Sequence, residues 1–359
     1  MTLLLDNPEI APLLKARAVI DVLDEAYRSH ATGATASPPR IDLQGKQAAN
    51  GETYQLGIAA GLATRYAAIR IKSDVVYQRI VAGMSRKEKY CVEPGKFMGL
   101  ILLFDARTGE LLAILHDGLI QKLRVGADSA LGVRYLARED AGVLGILGAG
   151  GMARAHIEAI AAVRQLEDLR IYSPTPANRE GLAAEIRDRF GLKARAVDAA
   201  EQVYRGAGIL CACTSAIGPV VLGRLLEPGM HVTAIGGTLD EEANARISLA
   251  LRFGNATVPA ELPDLDYREE CLSFAAGGQK VVHGGTRRFA DPSPGARIGL
   301  ADLLAGRGRT SPDEITFSER GNIHGIQFAA VAGLVYEQAL AMEVGRSLPG
   351  ELFLEDIRN

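Results

Sequence analysis

The chain has 359 residues, of which 48% are hydrophobic and 23% are charged, and its formal net charge at pH 7 is −3. A chain of this length is expected to form two domains, each with a sizeable core. The charge balance gives no electrostatic reason to expect a nucleic acid or an anionic membrane as partner, so we expect a small-molecule substrate.

The cysteines and the N-terminus indicate the compartment. The four cysteines lack paired metal-ligand spacing, and Cys211 and Cys213 are expected to point to opposite faces of a strand, which predicts buried thiols and no metal site. The N-terminus has no basic segment before an apolar core, and no apolar run approaches ~20 residues. We therefore expect a protein of the reducing cytoplasm that is neither secreted nor membrane-spanning.

The first part of the chain has the pattern of a mixed α+β unit. Apolar residues at helical spacing predict a helix over 16–31, which ends before the Gly- and Pro-containing run 33–39. Strand-like segments follow at 54–60, 67–72, 98–104 and 111–115, and a second helical pattern covers 119–136. This helix is expected to lead directly into the next unit.

A strand, a glycine-rich turn and a helix then follow in direct succession. Residues 143–147 read as a buried strand, and the turn is Gly148-x-Gly150-x-x-Ala153. In the dinucleotide-binding fingerprint the first glycine permits the tight turn, the second lets backbone N–H groups approach a pyrophosphate, and a small third residue allows close helix–strand packing. We therefore predict cofactor-binding residues at Gly148, Gly150, Gly151, Met152 and Ala153.

Strands and helices alternate beyond the turn. Strands are predicted at 169–172, 194–197, 209–214 and 231–235, with a helix at 177–190. This alternation predicts an α/β domain with a Rossmann-type, doubly wound parallel sheet and helices on both faces. Thr214 and Ser215, at the end of one strand, are included in the predicted cofactor site. A final helix over 323–342 is expected to pack back on the N-terminal half.

The end of the second strand of this unit bears on the choice of cofactor. An NAD enzyme would place Asp or Glu there to bind the ribose 2′-hydroxyl, and this chain has none. Ser173 and Thr175 can donate to a 2′-phosphate, and Arg179 can neutralise it. This pattern favours NADP(H), with NAD(H) still possible. The alternative is that Ser-Pro-Thr is only a turn leading into a helix.

Three basic residues of the first part are candidates for the chemistry. Arg40 follows two prolines, Lys72 closes an apolar strand, and Arg124 lies inside an otherwise apolar helix. A charge in such surroundings is costly unless it is paired, so it either has a partner or binds an anion. The structural alternatives pair Arg124 with Asp128 one helical turn later, and make Lys72 part of a solvated pair with Arg70.

Four segments together resemble the ornithine cyclodeaminase/mu-crystallin family in order and spacing: GLILLFDARTGELLAIL, HDGLIQKLRVGADSALGVRYLA, LGILGAGGMARAH and HVTAIGG. The resemblance covers roughly residues 15–340 and implies a Rossmann domain, expected at 136–320, inserted in a substrate-binding and dimerisation domain, expected at 1–135 plus 321–359. It also implies that Arg40, Lys72 and Arg124 meet the substrate carboxylate and the reacting centre.

Assembly is expected to involve the N-terminal half. Members of the family pair through this half, and the strands of 98–115 are expected to offer apolar edges that a monomer would have to protect. We therefore expect a homodimer.

One departure from the family pattern bears on the reaction. Cyclodeaminases of this family carry an Asp directly after the strand, where it handles the substrate amine and water, whereas this chain has Thr238 there. Thr238 can hydrogen-bond but cannot act as a base at neutral pH, and Asp240 would have to reach the site from two residues on. The family's ketimine reductase, mu-crystallin, similarly lacks this Asp, so the departure favours a reductase.

The sequence thus predicts an NAD(P)-dependent oxidoreductase that reduces the C=N bond of an imine or ketimine derived from a 2-oxo acid, or oxidises an amino acid. Arg124 and Arg40 would hold the carboxylate and Lys72 would stabilise or protonate the reacting centre. The alternatives are an ornithine-like cyclodeaminase that retains NAD and a non-catalytic NADP(H)-binding module. Four residues either line the pocket or tie the last helix to the first domain: Glu319, Arg320, Asn322 and His324.

Overall fold

The computed structural model describes residues 1–81, 84–216, 218–257, 271–278 and 290–357. The elements of the first part are β1 (Thr2–Leu5), α1 (Asn7–Ile10), α2 (Ala16–Ala31), β2 (Arg40–Gln44), β3 (Thr53–Leu62), β4 (Tyr66–Val81), β5 (Met84–Tyr90), β6 (Gly99–Asp105), β7 (Leu111–His116) and α3 (Gly118–Leu136). The middle part continues with β8 (Val143–Leu147), α4 (Gly151–Ala161), β9 (Asp168–Tyr172), α5 (Pro176–Phe190), β10 (Ala194–Ala196), β11 (Ile209–Ala212), β12 (Pro219–Val221), β13 (His231–Ala234), β14 (Thr238–Leu239), α6 (Glu241–Arg246) and β15 (Leu249–Arg252). The last part contains β16 (Cys271–Ala275), β17 (Arg297–Gly299), α7 (Leu300–Leu304), β18 (Thr316–Glu319), α8 (His324–Ala341) and β19 (Arg346–Leu348).

The first sheet has mixed strand directions and two different faces. Its strand order is β16-β2-β3-β4-β6-β7-β1-β19, and β5 pairs with β4 outside this order. One face is covered by α8, against which α2 and α3 pack in turn. The other face is only half-buried and carries a row of aligned apolar side chains, Ile41, Ile58, Ile71 and Leu100. Side chains alternate between the two faces along each strand. The candidate catalytic residues of this sheet therefore lie on the covered face, opposite the apolar face.

The second sheet is a doubly wound parallel sheet. Its order is β10-β9-β8-β11-β13-β18-β15-β17, and every neighbouring pair in it is parallel. From β8 the chain builds β9 and β10 on one side and then β11 and β13 on the other, so a topological switch lies between β8 and β11. Ligands of open α/β sheets bind at such a switch, beyond the carboxyl ends of the strands. The predicted fold class is confirmed.

Three long helices, α2, α3 and α8, link the two sheets through their packing contacts. The apolar stripe of α2 buries Val19, Ile20, Leu23 and Tyr27. Helix α3 is buried over most of its length and contacts α2, α4 and α8. At Gly126 it approaches α4 so closely that a β-carbon would lie 2.4 Å from the carbonyl oxygen of Ala155. Among the described residues, no helix combines the length and the apolar composition that a membrane crossing requires.

The predicted helices and strands are observed near their expected bounds, but strands such as β1, β2 and β5 were not predicted and β4 is longer than expected. The predicted helices at 16–31 and 119–136 are observed as α2 and α3, and the strand at 143–147 as β8. The strand predicted to end at Lys72 continues to Val81, because β5 folds back on it as a hairpin. Lys72 therefore lies in the middle of a strand and is buried between its neighbours.

The expectation that 98–115 forms exposed strand edges is wrong. Strands β6 and β7 lie inside the first sheet, with β4 on one side and β1 on the other. Their backbone hydrogen bonds are satisfied within the chain, so edge protection gives no reason for dimerisation. The half-buried apolar face of the same sheet is the surface that remains to be covered.

Strand β16 departs from the expected division into domains. It lies within the range 136–320 expected for the nucleotide-binding domain, yet it pairs in parallel with β2 of the first sheet, from Cys271 beside Arg40 to Ala275 beside Gln44. Such long-range pairing leaves no local pattern in the sequence. The domain boundaries themselves remain a prediction.

The two neighbouring cysteines lie on the same face of β11 and its continuation, so the expectation of opposite faces is wrong. Side chains alternate along a strand with a period of two, which places Cys211 and Cys213 side by side. Their sulfur atoms are 3.4 Å apart, and both residues are buried free thiols, as predicted.

Candidate active site

A cavity of about 770 Å³ lies at the topological switch between β8 and β11. This volume is in the usual range for small-molecule and cofactor sites. Seven of the predicted cofactor-binding residues line it: Gly148, Gly150, Gly151, Met152, Ser173, Thr214 and Ser215. The other three, Ala153, Thr175 and Arg179, do not form part of the lining described.

The glycine turn has the backbone geometry that the fingerprint requires. Gly148 has a φ of 120°, and a β-carbon there would lie 2.2 Å from the carbonyl oxygen of Cys213, so a larger residue is excluded. Gly150 precedes the first residue of α4, and the space around its missing side chain is open to 4 Å. Ala153 is fully buried against the sheet. The first N–H groups of α4 are thus accessible to an anion in the cavity.

Arg179 reaches the end of β9, where a ribose 2′-substituent would lie, but it already has partners. Its guanidinium donates to the backbone oxygen of Ser173 at 3.0 Å and to Asp198 at 2.6 Å. Thr175 lies immediately before α5 and is exposed, without a side-chain capping bond. The sequence missed Asp198 because it is distant in the chain and follows a different strand.

Arg124 lines the same cavity and is buried, with 3% of its surface exposed. Its guanidinium donates to Gln121 at 2.9 Å and to Gln327, and it stacks on the ring of Phe328 with its central carbon 4.7 Å from the ring centre. Its Nε atom has no hydrogen-bond partner within the described part of the chain. The expected alternative partner, Asp128, instead accepts a hydrogen bond from Tyr27 at 2.5 Å.

The surroundings of Arg124 favour the arrival of an anion. Burial, followed by the nearby charges of Arg320 and Arg70, lowers its pKa to about 9. The two amides that accept its hydrogen bonds are neutral, so they orient the guanidinium without cancelling its charge. A carboxylate beside it would gain a charge-assisted, forked pair of hydrogen bonds.

Lys72 lies in the covered face of the first sheet between two glycines. Gly57 on β3 and Gly99 on β6 are its neighbours in the ladder, and a β-carbon at Gly57 would lie 2.5 Å from Cε of Lys72. The ammonium group donates to Asp74 at 3.0 Å. Burial, followed by the charge of Arg40, lowers the pKa of Lys72 to about 8, so the side chain can exchange a proton near neutral pH.

Arg40 and Arg70 complete the basic part of this face. Arg40 forms a forked pair with Asp42, at 3.1 and 2.7 Å. Arg70 is buried and donates to Asp117 at 2.6 Å. The proposed alternative, a solvated Arg70–Lys72 pair, is therefore wrong, because each of the two residues is buried with its own carboxylate partner.

The first carboxylate after β13 belongs to Asp240. Asp240 caps α6, where its Oδ1 accepts the backbone N–H groups of Ala243 at 2.7 Å and Gly223 at 2.9 Å. The carboxylate thus fixes a helix terminus, and a catalytic role for Asp240 stays a prediction. Thr238 lies in β14, beside Pro219 of the cavity wall.

The four residues singled out from the end of β18 to the start of α8 do not share one role. Glu319 pairs with Arg252 at 2.5 Å, and the side-chain oxygen of Asn322 accepts the N–H of Ala256 at 2.6 Å, so both tie the segment to neighbouring loops. Arg320 lines the cavity and donates to Nε2 of His324 at 3.3 Å. Burial and the surrounding arginines hold the pKa of His324 well below its ordinary value, so this ring is neutral.

Two lysines near these groups were not predicted. Lys122 of α3 approaches the start of α4, with its Cε 3.6 Å from the position that a β-carbon of Gly151 would occupy. Residues two apart on a helix do not face each other, so the position of Lys122 relative to Arg124 did not predict this contact with α4. Lys89 of β5 lies 3.6 Å from Asp74, the partner of Lys72. No sequence pattern indicated this, because the contact depends on the β4–β5 hairpin.

The comparisons with known proteins agree with this fold. The model of the ornithine cyclodeaminase/mu-crystallin family matches residues 2–252. The chain belongs to this family. It is 29% identical over 252 residues to a Delta(1)-pyrroline-2-carboxylate reductase of Bacillus cereus, an alignment that covers 70% of this chain and 74% of that relative.

Two solved structures share the fold of the whole chain. The Delta(1)-pyrroline-2-carboxylate reductase of Thermococcus litoralis, in complex with NADH and L-proline, has a TM-score of 0.72 and 24% identity, and the match covers 96% of this chain and 100% of that one. An archaeal alanine dehydrogenase dimer with bound NAD has a TM-score of 0.75 and 23% identity, with 97% and 99% covered. At these identities the likeness establishes the architecture.

Proposed function

We propose that the protein is an NAD(P)H-dependent reductase of the C=N bond of an imine or ketimine derived from a 2-oxo acid, which also runs the reverse oxidation of an amino acid. The observation that carries the proposal is that one cavity is lined both by the glycine turn of the dinucleotide fingerprint and by a buried guanidinium, Arg124. Lys72, with a lowered pKa, supports it as a proton source. The names of the relatives, among them pyrroline-2-carboxylate reductases, support the same reaction class.

In this proposal the protein contributes orientation and a proton. Arg124 binds the substrate carboxylate, assisted by the partly exposed Arg40. This anchoring presents the imine carbon to the cavity. The bound dinucleotide supplies the hydride. The ammonium group of Lys72 donates a proton to the substrate nitrogen and, in the reverse direction, its neutral amine accepts one. Asp74 orients the Lys72 side chain through its 3.0 Å hydrogen bond.

A substrate panel tests the reaction class. Cyclic imines with a 2-carboxylate, and 2-oxo acids mixed with ammonia or methylamine, are expected to oxidise NADPH or NADH, as followed by absorbance. Ornithine with NAD is expected to release negligible ammonia, because Thr238 cannot act as a base and Asp240 is used as a helix cap. Rapid formation of proline from ornithine would contradict the proposal and favour the cyclodeaminase alternative.

The choice of NADP(H) over NAD(H) is a separate proposal. It is supported by Arg179 at the end of β9 and by the absence of Asp and Glu from 173–179. Arg179→Ala is expected to weaken NADPH binding by ~1–3 kcal/mol and to leave NADH nearly unchanged, because only NADPH carries the 2′-phosphate. Titration of both nucleotides measures this.

Asp198→Asn serves as the matched variant and should strengthen NADPH binding, since it removes the competing carboxylate. Tighter binding of NADH by the unmodified protein would overturn the preference.

We also propose a homodimer formed through the apolar face of the first sheet. That face carries aligned apolar residues, and Leu43, Tyr54 and Phe274 on it are 41%, 48% and 57% exposed. Light scattering at micromolar concentration should give the mass of two chains, and Ile58→Lys with Ile71→Glu should give one chain, because both charges would be buried at the interface. Leu352→Lys, at an exposed apolar residue outside this sheet, is the control. A monomeric unmodified protein would refute the dimer.

A further inference from the structure

His156, Cys211 and Cys213 form a buried cluster directly behind the glycine turn. His156 projects from α4, and the two cysteines lie on β11 and the residues that follow it. One ring nitrogen of His156 and the two sulfur atoms all lie within 4.8 Å of one another. His156 and Cys211 are fully buried and Cys213 is 7% exposed, so bulk water does not fill the space between them.

The second ring nitrogen of His156 carries an unused lone pair. Its Nδ1 is 2.7 Å from the backbone oxygen of Met152. A carbonyl oxygen can only accept, so Nδ1 carries the proton and Nε2 carries the lone pair. Nε2 is buried and has no hydrogen-bond partner among the residues that the structure describes. A buried acceptor without a partner destabilises the fold, which indicates that this atom has a ligand in the functional protein.

We propose that Nε2 of His156 and the sulfur atoms of Cys211 and Cys213 bind a zinc ion. Thiolate and imidazole are the ligands that zinc takes in proteins, at about 2.3 Å and 2.0–2.1 Å respectively. Such bond lengths place tetrahedral ligand atoms roughly 3.5–3.8 Å apart. The observed 3.4 Å between the sulfurs is a few tenths of an ångström shorter than this range, and the three ligand atoms lie within 4.8 Å of one another, so zinc binding needs the sulfurs to separate slightly and the imidazole to move towards them.

Charge selects zinc over a monovalent soft cation. On binding, the two thiols release their protons to solvent as the two Zn–S bonds form, and the neutral imidazole binds unchanged. A dication with two thiolates leaves no net charge in a fully buried site, whereas Cu⁺ with the same ligands would leave one uncompensated negative charge. Cys213 also lines the cofactor cavity, so a water molecule from the cavity can complete the tetrahedral set.

Zinc in this position would join α4 to β11 beneath the dinucleotide site. The carbonyl oxygen of Cys213 is already in close contact with Gly148, so the metal would hold the backbone of the turn against the strand. We therefore assign the ion a positioning role. Its expected effects are a higher melting temperature and tighter dinucleotide binding, and neither readout depends on turnover or on the reaction proposed above.

Metal analysis under reducing conditions tests the site. Protein purified without chelator is expected to contain about one zinc per chain by mass spectrometry, because the described part of the chain holds one such cluster. Chelator-treated protein is expected to regain the zinc and the higher melting temperature when ZnCl₂ is added. Cadmium added to the metal-free protein should produce the ultraviolet charge-transfer absorption of cadmium thiolates. Absence of both zinc uptake and cadmium absorption in the folded, reduced protein would overturn the proposal.

Single variants give the matched comparison. Cys211→Ser, Cys213→Ser and His156→Leu are each expected to lose stoichiometric zinc. Cys271→Ser, which alters a buried thiol of the first sheet, is expected to keep it. If a ligand variant fails to fold, the cadmium titration of the unmodified protein still decides. Retention of full zinc by folded Cys211→Ser and Cys213→Ser proteins would show that the metal binds elsewhere.

Discussion

Replacing Lys72 with alanine is expected to lower kcat by about 10²–10⁴, the range that a positioned proton donor contributes. The ammonium group lies at the covered face of the first sheet, and burial has already brought its pKa to about 8. Steady-state kinetics with a cyclic imine and saturating dinucleotide measure the loss. Lys89→Gln is the matched control, because Lys89 approaches the same carboxylate, Asp74, but is 44% exposed. Full imine-reducing activity in the Lys72→Ala protein would refute the assignment.

The pH profile gives an independent view of the same residue. Burial is the main cause that lowers the pKa of Lys72 from 10.5 to about 8, so the protonated form predominates below pH 8 and the neutral amine above it. The reductive direction consumes the proton, and its rate should therefore fall as the pH rises through 8. The oxidative direction needs the neutral amine and should rise over the same range. In the Lys72→Ala protein both of these pH dependences should disappear. If they persist, they arise from another titrating group.

Replacing Arg124 with alanine is expected to impair capture of the substrate. The guanidinium and the carboxylate would form a buried charge pair in both the ground state and the transition state, so its loss raises KM more than it lowers kcat. Truncation of one partner of such a pair costs about 2–5 kcal/mol, which corresponds to a rise in KM of roughly 30-fold or more.

Arg134→Ala is the control for this prediction, since Arg134 is on the same helix but pairs with Asp21 at 2.9 Å on the outside. Arg124→Lys keeps the charge but loses the forked pair of hydrogen bonds. Its KM should therefore lie between that of the alanine variant and that of the unmodified protein. An unchanged KM with a lowered kcat in Arg124→Ala would show that Arg124 serves the chemical step rather than substrate capture.

Local sequence patterns predicted the long helices, most of the central strands and the glycine turn, but not strands such as β1, β2 and β5. The glycine turn between β8 and α4 depends on residues within a short segment, so Gly148, Gly150 and Ala153 could be assigned from their spacing alone. Helices α2 and α3 were equally predictable, because an apolar stripe at helical period is a local property.

The partners of the charged residues could not be predicted in the same way. Gln327 lies 203 residues from Arg124, and Asp198 follows a different strand from the one that ends before Arg179. The role of Asp240 depended on whether a short helix, α6, begins directly after it. Each of these contacts is set by tertiary packing, which leaves no periodic signal along the chain.

The close approach of α3 and α4 at Gly126 has a thermodynamic consequence. Arg124 lies two residues before Gly126, and α4 begins at the turn that faces the dinucleotide, so one rigid contact joins the two binding regions. If anion binding shifts α3, the shift is passed to the backbone of α4 without an intervening side chain. Occupancy of either region then changes the affinity of the other, and linkage requires the factor to be the same in both directions.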